Sequence, residues 1–249
     1  MSVPGFTIPD LFHLLVACHI VTGAVGLLAF WIPVGGRKGG KLHRSGGTLF
    51  TAMMLVTGTF AVGMSLCTLA APNATHPHLA HHPDLGSAAM LRAIFGWMML
   101  YLAILTVNLA WYGWLCVRHK RAREKGRSWH NLGLQALLLV AAANCAWQAF
   151  LVGVPLLGLM SIVGFATVAT NLYYLYKPAP DPIEWLAEHI KALIGAGISV
   201  YTAFFAFGAV RLLPEAALTP ALWATPLTIG LGLILYHRRA IYRRALHTS

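Results

Sequence analysis

Long stretches without a charged residue are the feature that most constrains how this chain can fold. They are Leu11–Gly36 (26 residues), Ser45–Pro83 (39), Ala93–Val117 (25), Ser128–Tyr176 (49), Ala192–Val210 (19) and Ala216–His237 (22). A transmembrane helix needs about 20 predominantly apolar residues. Five stretches therefore fit one helix each, and the 49-residue stretch fits two. The sequence predicts an all-α, polytopic membrane helix bundle with seven transmembrane helices, forming a single transmembrane domain over residues 1–249.

The composition excludes several other classes of protein. Only 10% of the residues are charged, whereas a soluble domain has about 25%. A soluble enzyme is therefore excluded. The four cysteines (Cys18, Cys67, Cys116 and Cys145) all lie in apolar stretches and form no CxxC pair, which excludes a secreted disulfide scaffold.

The net charge of +11 suggests a nucleic-acid-binding protein, but the positions of the cations favour a membrane topology signal. For seven spans, 16 of the 18 Lys and Arg residues fall on one side of the membrane, and only Arg92 and Arg211 fall on the other. The positive-inside rule then places the N-terminus outside and the C-terminus in the cytoplasm. We expect a multi-pass protein of the cell inner membrane. Its expected partner is the lipid bilayer, and we expect no nucleic acid as a partner.

Proline, glycine and capping residues predict where the helices begin and end. Helix one is expected from about Pro9 to Trp31, stopped by Pro33, Gly35 and Gly36, and helix two from near Ser45 to before Pro72. Helix three is expected from Ser87 to Val117. Helices four and five form a hairpin over 128–176 that turns near Gly153-Val154-Pro155. Helix six begins at a cap formed by Asp181, Pro182 and Glu184 and ends before Pro214, and helix seven begins at Thr219-Pro220.

The twelve histidines carry the main functional signal, and His19 is the strongest single candidate. It lies inside the first predicted span, where ionisable residues are costly and usually functional. His19, Gly23, Gly26 and Phe30 share one helix face, so the glycines allow close approach of another helix or of a flat cofactor. A neutral His19 that hydrogen-bonds a neighbouring helix is the structural alternative.

A second group of histidines lies at the predicted cytoplasmic ends of the helices. They are His43, His119, His130, His189 and His237. Imidazole is a common ligand of haem iron, copper and zinc, and we predict that His19, His43, His130 and His189 bind a cofactor, with haem b as the first candidate. Arg44 would hold an anionic group such as a haem propionate. Ordinary histidines at headgroup depth are the alternative.

Two polar helix faces and one histidine-rich loop complete the candidates. His130, Asn144 and Gln148 share a face of helix four, and Glu188 and Ser199 share a face of helix six, which predicts a polar cavity between helices two, four and six. The outer loop carries His76, His78, His81 and His82 beside a carboxylate. This loop is a candidate site for a transition-metal ion, and a solvated loop is the alternative.

Several of these residues resemble a family. Three groups of residues carry the resemblance: Cys18-His19 with Gly23 and Gly26, then Leu42-His43-Arg44-Ser45-Gly46 with Met53, and later His189-Ile190, Ile194-Gly195 and Thr202-Ala203-Phe204. They are similar to the motifs of a bacterial family of multi-pass membrane proteins defined as a domain of unknown function (DUF2306). The resemblance covers about half of the chain. It implies the membrane topology, directs attention to His19, His43 and His189, and implies no activity.

The sequence supports three functional hypotheses. The first is a histidine-based haem b or metal site with electron transfer, which would make the protein a membrane redox protein with a quinone or a soluble redox protein as its partner. The second is a transporter or channel for a small solute or metal ion. The third is a non-enzymatic membrane sensor. An absorption spectrum separates the first from the other two.

Overall fold

A computed structural model of the chain describes residues 5–79, 81–205 and 220–246, and of residues 220–223 and 244–246 it describes only the backbone. The described residues form no strand and fold into seven long helices. These are α1 (Ile8–Gly35), α2 (Lys41–Ala70), α3 (Ala88–His119), α4 (Trp129–Val152), α5 (Pro155–Tyr176), α6 (Glu184–Ala203) and α7 (Pro220–Leu246). The predicted all-α class is confirmed.

Five of these helices, α1 to α5, are long and apolar enough to cross a membrane. Their outer faces fit that environment, since Leu28, Trp129 and Phe150 are each more than 70% exposed. Within the described residues α6 and α7 are not among the candidate spans. Acidic and basic side chains occupy the first turns of α6, and the last turns of α7 are rich in arginine.

The first two helices are longer than predicted. α1 continues through Pro33 and ends at Gly35, so the glycines among the predicted stop residues coincide with the end of the helix and the proline does not. The Lys38 ammonium donates to the carbonyl oxygens of Pro33 (2.8 Å) and Val34 (2.6 Å), which lie in the last turn of α1 and lack helical partners. α2 begins at Lys41, four residues earlier than predicted, so His43 and Arg44 lie in its first turn.

The later helix ends follow the predicted signals more closely. The Ser87 hydroxyl accepts a hydrogen bond from Met90 N at the start of α3, and α3 contains a seven-residue π-helical segment, Arg92–Met98. Gly153 joins α4 to α5 with φ +67, a left-handed conformation that favours glycine. Before α6, Asp181 Oδ1 accepts from Ile183 N, and Asp181 N donates to Glu184 Oε2. The predicted start of helix seven at Thr219 lies outside the described residues.

The chain divides into two compact units. The first contains Met1–Thr22, Val56–Leu105 and Gly133–Thr170. Its fully buried side chains include Leu91, Met98, Tyr101, Leu138 and Leu157, and its buried polar residues include Gln135 and Ser161. The Tyr101 hydroxyl donates to the Met160 carbonyl oxygen at 2.7 Å, so this buried hydroxyl has a hydrogen-bond partner.

The second unit contains Gly23–Leu55, Thr106–Leu132 and Asn171–Ser249. Phe50, Met54, Tyr112, Ala192 and Ala196 are buried in it. Its core also holds buried polar residues, among them Asn108, Asn131 and Asn171. Buried polar groups need hydrogen-bond partners, so this unit is held together by polar contacts as well as by apolar packing.

Candidate functional site

His43 is anchored to the end of α1 in the second unit. Its Nδ1 lies 3.0 Å from the carbonyl oxygen of Pro33. The two helices approach closely there because Gly46 has no side chain: a Cβ at this position would lie 2.5 Å from Cγ2 of Ile32 and 3.2 Å from Cδ of Pro33. Gly46 therefore lets the first turns of α2 lie against the last turns of α1. The His43 ring can then reach the carbonyl oxygen of Pro33.

His189 is anchored to α3 in the same way. Its Nδ1 lies 3.0 Å from the carbonyl oxygen of Gly113. A Cβ on Gly113 would lie 2.7 Å from Cδ2 of Leu193 and 3.1 Å from Cβ of Ala192. The missing side chain allows α6 to approach α3 closely, and the ring of His189 reaches a backbone oxygen of the neighbouring helix.

The carbonyl partner determines which ring nitrogen carries the proton. A carbonyl oxygen can only accept, so Nδ1 of His43 and of His189 must be the donor. Each neutral ring then has its lone pair on Nε2, and no hydrogen bond to a described residue engages that atom. Histidines that bind metals commonly show this arrangement, in which an Nδ1–H···O=C bond fixes the tautomer and the ring orientation.

His43 acts electrostatically on two other histidines of the second unit. His43 is near enough to His189 for the two rings to repel each other when charged. Lys38 and His43 act in the same way on His237 of α7. The structure therefore places two predicted cofactor ligands, His43 and His189, in the same unit and within electrostatic range of each other, and it adds His237. The sequence placed His237 in the inner layer but gave no reason to choose it over the other histidines there.

His19 has the same anchoring in the first unit. Its Nδ1 lies 3.1 Å from the carbonyl oxygen of Thr57 in α2. The Thr57 hydroxyl donates to the Thr22 hydroxyl at 2.9 Å, and Thr22 donates to the Cys18 carbonyl oxygen at 2.8 Å. His19 thus hydrogen-bonds a neighbouring helix, and its Nε2 lone pair stays unused among the described residues.

Gly26 shows what occupies the glycine face of α1 in the second unit. A Cβ on Gly26 would collide with the terminal methyl group of Met54 in α2. Another helix therefore packs against this glycine, which is the first of the two alternatives that the sequence left open.

Arg44 and His130 are both exposed. Arg44 Nε donates to the Gly39 carbonyl oxygen at 2.8 Å, and its two terminal nitrogens make no hydrogen bond to a described residue. His130 stacks on Trp129, with the ring centroids 3.6 Å apart. The buried face of α4 instead carries Asn131 and Gln135. The structure therefore does not bring His130 into the group formed by His43 and His189.

A polar network on α3 and α6 was not predicted as a unit. The Tyr112 hydroxyl donates to Glu188 Oε2 at 2.8 Å, and the Lys191 ammonium donates to the same oxygen at 2.6 Å. Further along these helices the Thr106 and Ser199 hydroxyls lie 2.5 Å apart. The polar face predicted for helix six therefore exists. Its polar groups form hydrogen bonds with α3 and do not line an open cavity.

A small cavity lies beside Asn131 in the second unit. Its volume is about 10 Å³, and Tyr112, Arg123 and Tyr174 are among the residues that line it. Asn131 Nδ2 donates to the Gly126 carbonyl oxygen at 2.8 Å, and Asn131 Oδ1 is buried without a hydrogen-bond partner among the described residues. A cavity of this size holds about one water molecule, which would satisfy that oxygen.

The four histidines of the outer loop have different surroundings. His76 is buried, and its ring centroid lies 4.5 Å from Phe95 and 5.4 Å from Phe12. Burial, with a smaller contribution from His78, lowers the pKa of His76 to about 4. His82 Nδ1 accepts from the backbone N–H groups of Asp84 and Leu85. His78 and His81 are exposed.

Among residues 5–79, 81–205 and 220–246, no three His, Cys, Asp or Glu side chains are placed to hold a metal ion together. The outer loop does not form such a group because His76 and His82 are engaged by aromatic packing and by a turn. Metal capture by His76, His78, His81 and His82 stays a prediction that this arrangement does not favour. Comparisons with protein-family models, with curated proteins and with solved structures each found no match for this chain.

Proposed function

We propose that this chain is a membrane redox protein in which His43 and His189 hold a haem b. The observation that carries the proposal is the shared anchoring of the two rings: each donates Nδ1–H to a backbone carbonyl at 3.0 Å, and each keeps its Nε2 lone pair for an iron ligand bond. The two rings are also close enough to interact electrostatically.

The number of available ligands favours haem over a bare metal ion. A protein-bound zinc or copper ion takes three or four protein ligands, and the described residues offer no group of that size. Haem iron takes four nitrogens from its own macrocycle and needs only one or two from the protein. A pair of anchored histidines fits that requirement.

Each residue of this site has a defined task. His43 and His189 supply the imidazole nitrogens, while Pro33 O and Gly113 O fix the two rings. The terminal nitrogens of Arg44 hold a propionate by charge-assisted hydrogen bonds. A bound haem supplies one-electron oxidation and reduction. A quinone in the bilayer or a soluble redox protein at the basic side exchanges those electrons.

The proposal includes the membrane arrangement. Besides the five helices that are apolar enough to span, α6 and α7 belong to the sixth and seventh spans of this proposal. The N-terminus lies outside and the C-terminus in the cytoplasm of the cell inner membrane, because 16 of 18 cations then face inward. Membership of the DUF2306-like family is part of the same proposal and rests on the motif that contains His43 and Gly46.

Transport is less well supported than haem binding. The predicted path used the polar faces of helices four and six. The polar groups on this face of α6 form short contacts with α3: Ser199 with Thr106 at 2.5 Å and Glu188 with Tyr112 at 2.8 Å. Polar pairs of this kind hold membrane helices together.

Three histidine variants test the proposal. The full chain is expressed with haem available, purified in detergent, and assayed for haem by absorption and for iron by mass spectrometry. We expect His43→Ala and His189→Ala to lower the haem content by roughly tenfold or more. His130→Ala is the matched control, because His130 is exposed and stacks only on Trp129, and it should keep the wild-type haem content. Equal haem in all four proteins would contradict the proposal.

A further inference from the structure

The loop between α3 and α4 carries more Lys and Arg residues than any other loop of the chain. Residues 118–127, the basic segment, contain six of these cations and one acid, Glu124. The two flanking helices are candidate membrane spans: α3 ends at His119, and α4 begins at Trp129. The basic segment therefore lies where two apolar helices leave the membrane interior.

Two arginines fasten the basic segment to the end of α5, a third candidate span. Arg123 is buried, and its Nη1 donates to the Tyr174 carbonyl oxygen at 2.8 Å. Arg127 donates to the Leu175 carbonyl oxygen from Nε at 2.9 Å and from Nη2 at 2.7 Å. Both carbonyl groups lie in the last turn of α5, where helical partners are missing. The basic segment is therefore held in one position beside the ends of three candidate spans.

The other four cations of the basic segment have no acidic partner among the described residues. They are Arg118, Lys120, Arg121 and Lys125, and all four are exposed. The ion pairs within the described ranges include none of them. Because cations of one sign concentrate a positive potential when no carboxylate offsets them, this surface attracts an anionic ligand.

Aromatic side chains lie beside these cations. The Arg118 guanidinium lies 4.9 Å from the centre of the Trp114 ring, and the Arg127 guanidinium lies 4.7 Å from that of Tyr176. Trp129, two residues after the basic segment, is 76% exposed. Trp and Tyr side chains are enriched at membrane–water interfaces, where their rings lie among the lipid headgroups. The rings therefore place the basic segment at headgroup depth.

The combination of cations with exposed rings favours a lipid over a soluble polyanion. A phospholipid offers its phosphate to the cations and its glycerol and upper acyl chains to the rings. A nucleic acid or an acidic protein approaches from water, so it meets the cations without using the rings. Basic surfaces at the ends of membrane helices bind the headgroups of anionic lipids in this way.

We propose that the basic segment binds an anionic phospholipid. Arg121 and Lys125 hold the phosphate by charge-assisted hydrogen bonds, and the Trp129 side chain packs against the glycerol and upper acyl chains. Arg123 and Arg127 position the segment through their bonds to α5. This inference goes beyond the proposed function, because it depends on α3, α4 and α5 crossing the membrane and not on a haem.

Lipid binding to the full chain tests the inference. The protein is purified in detergent, and its affinities for dioleoyl-phosphatidylglycerol and dioleoyl-phosphatidylcholine are measured by native mass spectrometry. The two lipids have the same acyl chains, and only the first has a net negative charge. We expect the wild type to bind phosphatidylglycerol at least tenfold more tightly. Equal affinities for the two lipids would overturn the inference.

Two double variants separate this site from a diffuse effect of net charge. Arg121→Gln with Lys125→Gln should weaken phosphatidylglycerol binding roughly tenfold or more, because each cation near a membrane surface contributes about fivefold. Arg37→Gln with Lys41→Gln is the matched control: these exposed cations of the same unit lie near the start of α2, and the change in net charge is the same. Equal losses in both double variants would overturn the site.

Trp129→Ala tests the contact with lipid independently of charge. We expect it to weaken phosphatidylglycerol binding about threefold to tenfold, since apolar area against the acyl chains is lost. Trp147→Ala is its control, because Trp147 is also an exposed tryptophan of α4 and lies far along the helix from the basic segment. Single-stranded oligothymidylate that displaces the lipid from the wild type and binds Trp129→Ala equally well would indicate a partner in water and overturn the inference.

Discussion

The two anchored histidines of the second unit show how far a residue's role could be predicted. The sequence identified His43 and His189 from their depth and from the motifs around them. Their anchoring could not be predicted, because Nδ1 of each ring bonds a backbone oxygen of another helix, and such a contact depends on packing. His130 was selected by the same depth argument, and the structure exposes it beside Trp129. The sequence could place all three near a helix end, but it could not give the direction of the side chain.

Protonation of His76 should make the protein less stable in acid. Burial lowers the pKa of His76 to about 4, below the value of about 6.5 in an unfolded chain. Between pH 6.5 and pH 4 the unfolded chain binds the proton more readily, so the stability falls as the pH falls, by up to about 3 kcal/mol from this group. Above pH 6.5 the contribution is constant.

The measurement for His76 is thermal unfolding of the purified protein between pH 7.5 and pH 4, compared with His76→Phe. The variant keeps a ring between Phe12 and Phe95 and removes the titrating group, so its melting temperature should fall less over this range. His81→Phe is the control because His81 is exposed. Parallel pH profiles of the wild type and His76→Phe would show that His76 does not titrate in this way.

At the scale of helices, turn and cap signals predicted the ends well where they act locally. Gly153 turns the chain between α4 and α5 as expected, and Ser87 caps α3. Of the predicted stop residues of α1, Pro33 lies inside the helix, and the helix ends at Gly35. The Lys38 ammonium satisfies carbonyl oxygens at this end of α1.

Gly113→Ala should weaken the α3–α6 contact. The added Cβ would lie 2.7 Å from Leu193 Cδ2 and 3.1 Å from Ala192 Cβ, so α6 must shift. Overpacking of this kind costs about 1 to 3 kcal/mol. The shift also lengthens the hydrogen bond from His189 to Gly113 O, so we expect a lower melting temperature together with a lower haem content.

Gly133→Ala is the matched control for that substitution. Gly133 lies within α4, and a Cβ there would meet no atom within 4 Å. Alanine has a higher helix propensity than glycine by about 1 kcal/mol, so this variant should be as stable as the wild type or more stable. A melting temperature of Gly113→Ala at or above that of Gly133→Ala would contradict a packing role for Gly113.

For the whole molecule, the uncharged stretches predicted the helical class and the five clear spans. They also predicted spans at α6 and α7, and these two helices are not among the candidate spans of the described residues. α6 carries Glu184, Glu188 and Lys191 in its first turns, and these side chains form ion pairs and hydrogen bonds within the second unit. Hydropathy alone cannot show such pairing, because it treats each residue separately.

Reporter fusions test the topology of seven spans. Alkaline phosphatase is active only outside the cytoplasm, and green fluorescent protein fluoresces only when it folds inside. We expect fluorescence from a fusion at Ser249 and phosphatase activity from a fusion after His82 in the outer loop. Active phosphatase at Ser249 would contradict an odd number of spans with the N-terminus outside.

The absorption spectrum of the purified full chain tests haem ligation by His43 and His189 most directly. Protein expressed with haem available is measured oxidised and after reduction with dithionite. We expect a Soret band that shifts on reduction and a sharp α-band in the reduced form, both of which depend on His43 and His189 and not on His130. A colourless protein with no Soret band and no bound iron would contradict the proposed haem site.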